Sequence, residues 1–276
     1  MFSDKYIQLD LQLPSQKIYG LGERNREFTL TEGTWTMWAN GQETPHDDGT
    51  GMKQTYGVHP FALVQTKVKS QFMGIFFRNS NAMSPIITYK DGGESTLSYI
   101  STGGTVEMYF MLRGTAKEII RSYQNMIGNA ELPPFWALGW HSSAYAYKNQ
   151  SDVEKNVAAY KNASIPLEGV WLDIPYMNNF ADFSVDKVAF PSLKNFTESI
   201  QAEGLKMIPI IDAGISADLE SNPYYIYAKQ NDLLLKSLIN PDTEFGGAAV
   251  QKVWPNNTVF LDWFNDEVVN VWNKGL

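Results

Sequence analysis

The chain has no cysteine, only three histidines and fewer basic than acidic residues, and each shortage removes a class of function. Without cysteine there is no disulfide, no thiolate metal site and no cysteine nucleophile, and the redox compartment stays open. His46, His59 and His141 are too few for a histidine-rich metal centre, so no such site is expected. Lys and Arg total 22 against 30 Asp and Glu, a net charge of -8 with a pI near 5.0, and polyanion binding needs clustered cations. Nucleic acid is therefore not expected as a partner. No run approaches the roughly 18 apolar residues of a membrane span, and Met1 to Tyr6 lack the basic-then-apolar order of a signal peptide. The chain reads as soluble. Gly20-Leu21-Gly22-Glu23-Arg24-Asn25 begins like a dinucleotide fingerprint but lacks its third glycine and follows no parallel strand into a helix. A Gly-x-Ser-x-Gly elbow and a phosphate loop are also missing, which leaves hydride transfer, serine hydrolysis and ATP use without support.

What is present is a long, apolar and aromatic chain. Its 276 residues are 43% hydrophobic, enough to bury at least one sizeable core. Aromatic residues make up 13%, which suits a large β core or a pocket that stacks flat faces, the core being the simpler reading. Up to Gly114 short alternating runs dominate: Ile7 to Leu13, Thr34 to Trp38, Phe61 to Val64, Phe72 to Phe77 and Val106 to Leu112. Asp91-Gly92-Gly93 and Thr102-Gly103-Gly104 break the series. Residues 1–114 are expected to form an antiparallel β-sandwich.

Past Gly114 the period becomes helical, with Ile119, Ile120, Tyr123, Met126 and Ile127 on one face and Gly128 as a stop. Residues 115–132 thus read as a helix and linker, closed by the stiff Leu132-Pro133-Pro134. Residues 133–276 then alternate between strand and helix patterns. The run from Pro133 to His141 reads as strand one, residues 168–173 as strand two and residues 205–212, apolar nearly throughout, as strand three. Ser151 with Glu154 reads as a capping box opening the first connecting helix, and Leu193, Phe196 and Ile200, stopped at Gly204, give the second. Two strand-like runs around Gly246-Gly247 suggest a hairpin inserted at 232–254, and a last helix carries Val268, Val269 and Trp272 to Gly275. The fold class is α/β plus β: a sandwich followed by the first part of an incomplete β/α barrel.

Asp173 and Asp212 close successive parallel strands, and neighbouring strands place such ends at one barrel mouth. Two carboxylates can divide acid and base work when their surroundings separate their pKa values, and each reads equally well as a bond acceptor for amides in its own loop. Tyr145 and Tyr147 lie beyond strand one and Trp254 ends the hairpin, where aromatic rings with polar edges suit a sugar ring or plain packing. His141 follows strand one, with a pocket role and a satisfied buried imidazole both open. Asn149, Asn162, Asn195 and Asn256 head Asn-x-Ser/Thr sequences, glycan acceptors only in a secretory compartment.

At this point the chain resembles glycoside hydrolase family 31, the retaining α-glucosidase family. The resemblance rests on Ile18-Tyr19-Gly20-Leu21-Gly22-Glu23, Tyr56-Gly57-Val58-His59-Pro60-Phe61, Asn79-Ser80-Asn81-Ala82-Met83, Pro133-Pro134-Phe135-Trp136-Ala137-Leu138-Gly139, Trp171-Leu172-Asp173-Ile174-Pro175-Tyr176-Met177, Phe190-Pro191 and Lys252-Val253-Trp254-Pro255. It implies a sandwich before a (β/α)8 barrel, water as co-reactant, no cofactor and α-linked glucose oligosaccharides as partners. It also implies that Asp173 bonds hydroxyls of the sugar before the scissile bond, that Tyr145, Ile210 and Trp254 line the same subsite, and that Asp212 plays a supporting part. The compartment stays open, a lysosomal, endoplasmic-reticulum or secreted setting being the one implied for an intact protein.

Two departures accompany the resemblance. Pro175 stands where the family usually has a second aspartate, and Ala39-Asn40-Gly41-Gln42 offers no clear match for a further sugar-binding aspartate. The family's Trp-x-Asp-Met-Asn-Glu nucleophile motif does not occur, and both the nucleophile and the acid/base residue are expected downstream of Leu276. The expectation is the substrate-binding part of an α-glucoside hydrolase, inactive by itself, with a non-catalytic carbohydrate-binding or relic protein as the alternative.

Overall fold

Alternation along the first third of the chain becomes nine antiparallel strands in the computed structural model, which describes residues 2–25, 27–38, 54–218, 222–239 and 245–276. His46 and Ala39-Asn40-Gly41-Gln42 lie outside those residues. The chain divides into two units, Met1–Glu131 and Leu132–Leu276.

In the first unit the strands are β1 (Phe2–Ser3), β2 (Tyr6–Leu13), β3 (Ile18–Gly20), β4 (Gly33–Thr34), β5 (Phe61–Gln65), β6 (Phe72–Phe77), β7 (Ile86–Tyr89), β8 (Ser95–Ser101) and β9 (Met108–Gly114). They form two antiparallel sheets, in the orders β1-β2-β8-β7-β4 and β3-β5-β6-β9. Ile7, Leu13, Leu97 and Tyr99 of the first sheet share one buried cluster with Ala62, Val64, Ile75 and Phe77 of the second, so the unit is a β-sandwich. Of the expected Thr34 to Trp38 strand only Thr34 lies in a strand, β4, with Met37 adding a single bridge to Met83.

Strand β5 is buried on both faces. Ala62 and Val64 point into the sandwich, whereas Phe61 and Leu63 pack with Ile119 and Tyr123 of α1 (Ala116–Ile127). Thr115 and Glu118 form a reciprocal capping box at the start of α1, and Gly128 ends it at φ 92°. The helix settles close to β6 because Gly74 has no side chain; a Cβ there would meet the Ile119 Cγ2 at 2.7 Å. Gly20 is the tightest of the sandwich glycines, with φ +98° and a Cβ position 2.4 Å from the Phe61 carbonyl oxygen. Gly20→Ala should therefore cost about 1–3 kcal/mol, combining left-handed backbone with overpacking. Gly128→Ala meets no atom within 4 Å and should cost less; urea unfolding of both variants checks the order.

The second unit begins with a correction to strand one. Pro134 holds extended backbone, Ala137 N–H donates to the Pro134 carbonyl at 2.9 Å, and Phe135–Leu138 winds into a single 3-10 turn. Only β10 (His141–Ser143) is strand. The apolar residues ahead of it owe nothing to sheet burial, Phe135 being 91% exposed. Strand β11 (Gly169–Leu172) and β12 (Lys206–Pro209) complete a parallel sheet in the order β10-β11-β12, with α2 (Gln150–Asn162) and α3 (Leu193–Ala202) as its crossovers. Val170, Leu172 and Met207 face Val153, Leu193 and Phe196 of those helices. This is the opening of a β/α barrel, and the described strands do not close it.

A second correction concerns α2. Its cap is Asn149, whose Oδ1 accepts from the Asp152 N–H at 3.1 Å, and Ser151 already lies inside the helix. Beyond β12, strands β13 (Gly214–Ser216), β14 (Gln251–Val253) and β15 (Asn256–Phe260) form an antiparallel sheet in the order β13-β15-β14. Helices α4 (Pro223–Gln230) and α5 (Val268–Gly275) bury Tyr225, Ala228, Val268 and Val271 against Ile215 and Val259. Within the hairpin expected at 232–254, the described residues pair through the Lys236 to Ala248 bridge, with the Ser237 N–H on the Gly247 carbonyl at 2.8 Å and the Ala249 N–H on the Leu235 carbonyl at 2.7 Å. A further hairpin turns at Trp254-Pro255 between β14 and β15.

Candidate active site

Parallel strands aim their last side chains at one end of the sheet; Asp173 is the residue after β11, and Asp212 lies three residues past β12, which ends at Pro209 rather than at the expected residue 212. Asp173 follows β11 directly and caps the short turn Ile174–Tyr176, its Oδ1 accepting from the Ile174 N–H at 2.7 Å. Pro175 occupies the turn, where its fixed φ suits a first helical position and no N–H is needed.

The turn delivers Tyr176 inward. Its ring is buried, and its hydroxyl donates to the Ile210 carbonyl at 2.8 Å, tying the end of β11 to the segment after β12. Two residues further on, the Asp212 N–H donates to Oδ1 of Asp182 at 3.1 Å. Asp182 is 3% exposed, and its Oδ2 has no hydrogen-bond partner among the described residues.

The electrostatics follow from burial and like charge. Desolvation, then the nearby Asp173 charge, pushes the Asp212 carboxyl above the usual carboxylate range. Burial pushes Asp182 up to about 7, with Asp212 adding to the rise and the Asp212 N–H opposing it. The Tyr176 hydroxyl is held up at about 12 by burial and by the two aspartates. Carboxyls brought together where one is buried and its neighbour partly so cannot all carry charge cheaply, so the cluster can both hold a proton and accept hydroxyl donors.

The other residues singled out in the sequence have separate surroundings. Ile210 stands at the cluster, with its N–H on the Leu172 carbonyl at 2.9 Å and its side chain against the sheet core. Tyr145 follows β10 and is 52% exposed, with the Lys148 ammonium 2.8 Å from its ring centre. Tyr147 is partly buried and shares a 2.8 Å hydrogen bond with Ser142. Trp254 is half-exposed at the tip of the β14 to β15 hairpin.

His141 is a satisfied structural imidazole. It begins β10 and so sits at the opposite end of the strand from the carboxyl terminus. Its Nδ1 accepts from the Trp171 indole N–H at 2.9 Å, leaving Nε2 to donate to the Trp136 carbonyl at 3.2 Å. Stacking on Trp136, with ring centres 5.7 Å apart, completes its environment.

Asp182 and Tyr176 are the cluster members that spacing did not single out. The available signal was a lone carboxylate in the apolar string Phe180-Ala181-Asp182-Phe183. Burying such a group demands an explanation in a way a surface aspartate does not. Unit one also holds a cleft of about 750 Å³ walled by Trp38, Arg78, Glu107 and Tyr123, but Arg78 and Glu107 already neutralise each other there at 3.0 Å.

Comparison with known proteins agrees with this architecture in both units. The glycosyl hydrolases family 31 TIM-barrel domain matches residues 130–276, and the glycosyl hydrolase 31 N-terminal galactose mutarotase-like domain matches residues 1–84. An α-glucosidase of Mucor javanicus is 32% identical over 279 residues, covering 99% of this chain and 30% of the relative. The lysosomal α-glucosidase of Mus musculus is 31% identical over 274 residues, covering 98% of this chain and 27% of the relative. A crystal structure of the ER glucosidase II heterodimeric complex shares the fold with a TM-score of 0.84 at 23% identity, covering 97% of this chain and 30% of that one. The chain thus spans about 30% of the length of these relatives. By its paired domains the chain belongs to glycosyl hydrolase family 31.

Proposed function

We propose that this chain supplies the sugar-binding part of a retaining α-glucosidase site, with Asp173 as its principal acceptor for hydroxyl groups of an α-linked glucose unit. The observation that carries the reading is the convergence of Asp173 and Asp212 beyond the ends of adjacent parallel strands, in a chain of a glycoside hydrolase family. A carboxylate has about four acceptor positions, and the Ile174 N–H uses one of those on Asp173. The remainder suit vicinal hydroxyls. Ile210 offers an apolar flank beside the acids, and the exposed rings of Tyr145 and Trp254 offer faces for the C–H side of a pyranose.

Retaining hydrolysis needs two carboxyls about 5–5.5 Å apart, one attacking the anomeric carbon and one protonating the leaving oxygen. In this reading Asp173 is a binding group, Asp212 supports it, and both reacting carboxyls come from polypeptide other than these 276 residues. The absence of a Trp-x-Asp-Met-Asn-Glu sequence supports that division. It also favours, as the second reading, carbohydrate binding without chemistry when this polypeptide acts alone.

Titration calorimetry with maltotriose should detect binding to the chain, and Asp173→Ala should weaken it at least about tenfold, since an unpaired polar group costs about 1–3 kcal/mol. Glucose should not be released. Unchanged affinity in Asp173→Ala would remove Asp173 from the sugar site, and sustained glucose release by the chain would overturn the assignment of the reacting carboxyls elsewhere.

A further inference from the structure

The segment that carries Asp182 is built under strain. Asn179, Phe180 and Phe183 all have positive φ, at 49°, 58° and 60°, a backbone region that bulky residues rarely adopt. Such a conformation persists only where the surroundings over-determine it. The ties are visible: Asn178 N–H donates to Ser184 Oγ at 3.0 Å, Ser184 Oγ donates to the Ala181 carbonyl at 2.5 Å, and Asp186 N–H donates to the Tyr176 carbonyl at 2.8 Å. The Phe183 ring packs edge-on against Trp272 at 5.1 Å and tilted against Tyr224 at 4.9 Å. The result of all this bracing is to hold one carboxyl under the Asp212 backbone.

That carboxyl is unusual in what surrounds it. Oδ1 has the Asp212 N–H, while Oδ2 is buried and has no partner among the described residues. The titratable groups acting on this corner are Asp212, Asp173 and Tyr176, all acidic, and no ion pair among the described residues reaches Asp182. An ionised oxygen buried without a donor or a cation is far costlier than a neutral acid in the same place.

We propose that Asp182 is the positioning residue of the sugar site: as a neutral acid it clamps the Asp212 backbone without adding a charge beside it. The proposal rests on the sugar-binding reading above and goes beyond it by naming the group that sets the site's geometry. Asp182 itself touches no sugar. Its upward-shifted carboxyl, ionising near 7, gives the clamp an alkaline limit. Ionisation strengthens the Asp212 N–H bond to Oδ1, but the buried Oδ2 must then find water or a donor, and admitting it is what displaces the loop that carries Asp212.

Two measurements test this on the full chain. In carboxyl carbon and amide nitrogen NMR, the Asp182 carboxyl and the Asp212 amide should titrate together, well above the ordinary carboxylate range. A normal aspartate titration overturns the proposal whatever the sugar does. In maltotriose calorimetry, affinity should fall about tenfold between about pH 6 and pH 8.5 in the unsubstituted chain, the same free-energy scale as one unit of pKa coupling. Asp182→Asn, which accepts the same N–H but cannot ionise, should reduce that ratio below about twofold. Asp182→Ala should bind at least about tenfold more weakly than Asp182→Asn at pH 6, because only the amide restores the clamp. If Asp173→Ala abolishes binding while Asp182→Asn keeps the full alkaline loss, the positioning role alone is overturned. If the unsubstituted chain binds no maltotriose at pH 6, the sugar reading falls and takes the proposal with it.

Discussion

Truncating Trp35 to alanine will lower the stability of the β-sandwich by about 3–5 kcal/mol, the range for removing a buried large aromatic from a packed core. Trp35 is 1% exposed and lies in the same cluster as Ile18, Met37, Ile87 and Leu97. Its indole N–H donates to the Thr31 carbonyl at 3.1 Å, its backbone N–H to the Pro85 carbonyl at 2.7 Å, and the Arg24 guanidinium lies 5.5 Å from its ring centre. The substitution removes contacts and orphans a carbonyl at once. Trp35→Phe keeps most of the volume and should cost about 1–2 kcal/mol. Urea unfolding with hydrogen exchange resolved by region measures both; a loss below about 1 kcal/mol in Trp35→Ala would mean that the ring is not part of the sandwich core.

The two units will respond to pH with opposite sign. In the sandwich, hydrogen bonds hold carboxylates below their ordinary range: Glu23 through Thr55 and the Gly57 amide, Glu107 through Tyr109 and Arg78, Glu94 through Lys67, and Glu118 through Thr115. Depressed carboxylates contribute stability that is present above their unfolded pKa, about 4, and lost as pH falls through the folded one. In the second unit the shifts run upward. Asp182, raised to about 7, contributes stability that is complete below about pH 4 and lost as pH rises through 7. Three pKa units correspond to at most about 4 kcal/mol, and Asp212 shifts in the same direction. Regional hydrogen exchange, corrected for intrinsic rates, should show protection of residues 132–276 falling between pH 5 and 8 while the sandwich holds steady. Asp182→Asn should flatten that decline. A second unit that instead gains protection as pH rises to 8 would contradict the buried neutral acid.

Much of the fold was legible because it follows local rules. The stretch Ile7 to Leu13 alternates cleanly and became β2, the continuous apolar run Phe72 to Phe77 became β6, and the period-3.6 run with Gly128 behind it became α1. Strand β8 was less visible because serines occupy both ends of its inward face. Ser95 and Ser101 are buried but satisfied, donating to the Ser15 and Gly103 carbonyls at 2.7 and 3.0 Å, so polarity in the sequence concealed a core strand. The opposite error occurred at Phe135 to Leu138, where apolar side chains read as strand but Pro133-Pro134 sets up a turn. The β/α period was enough to put Asp173 directly after β11 and Asp212 shortly beyond β12. Asp182 could not be read that way. Its meaning comes from a tertiary bond to an amide thirty residues downstream, and no spacing rule reports one.

The pairing of β2 with β8 sets a timing problem during synthesis. Ile7 finds its partner at Ser101 and Leu13 at Ser95, so the first long strand made is among the last completed. At about 5–20 residues per second, the ribosome takes on the order of 5–20 s to supply the matching segment. Throughout that interval Ile7, Leu9, Leu11 and Leu13 are an apolar ribbon with only the two residues of β1 to pair with, a natural handhold for the chaperones that attend a nascent chain.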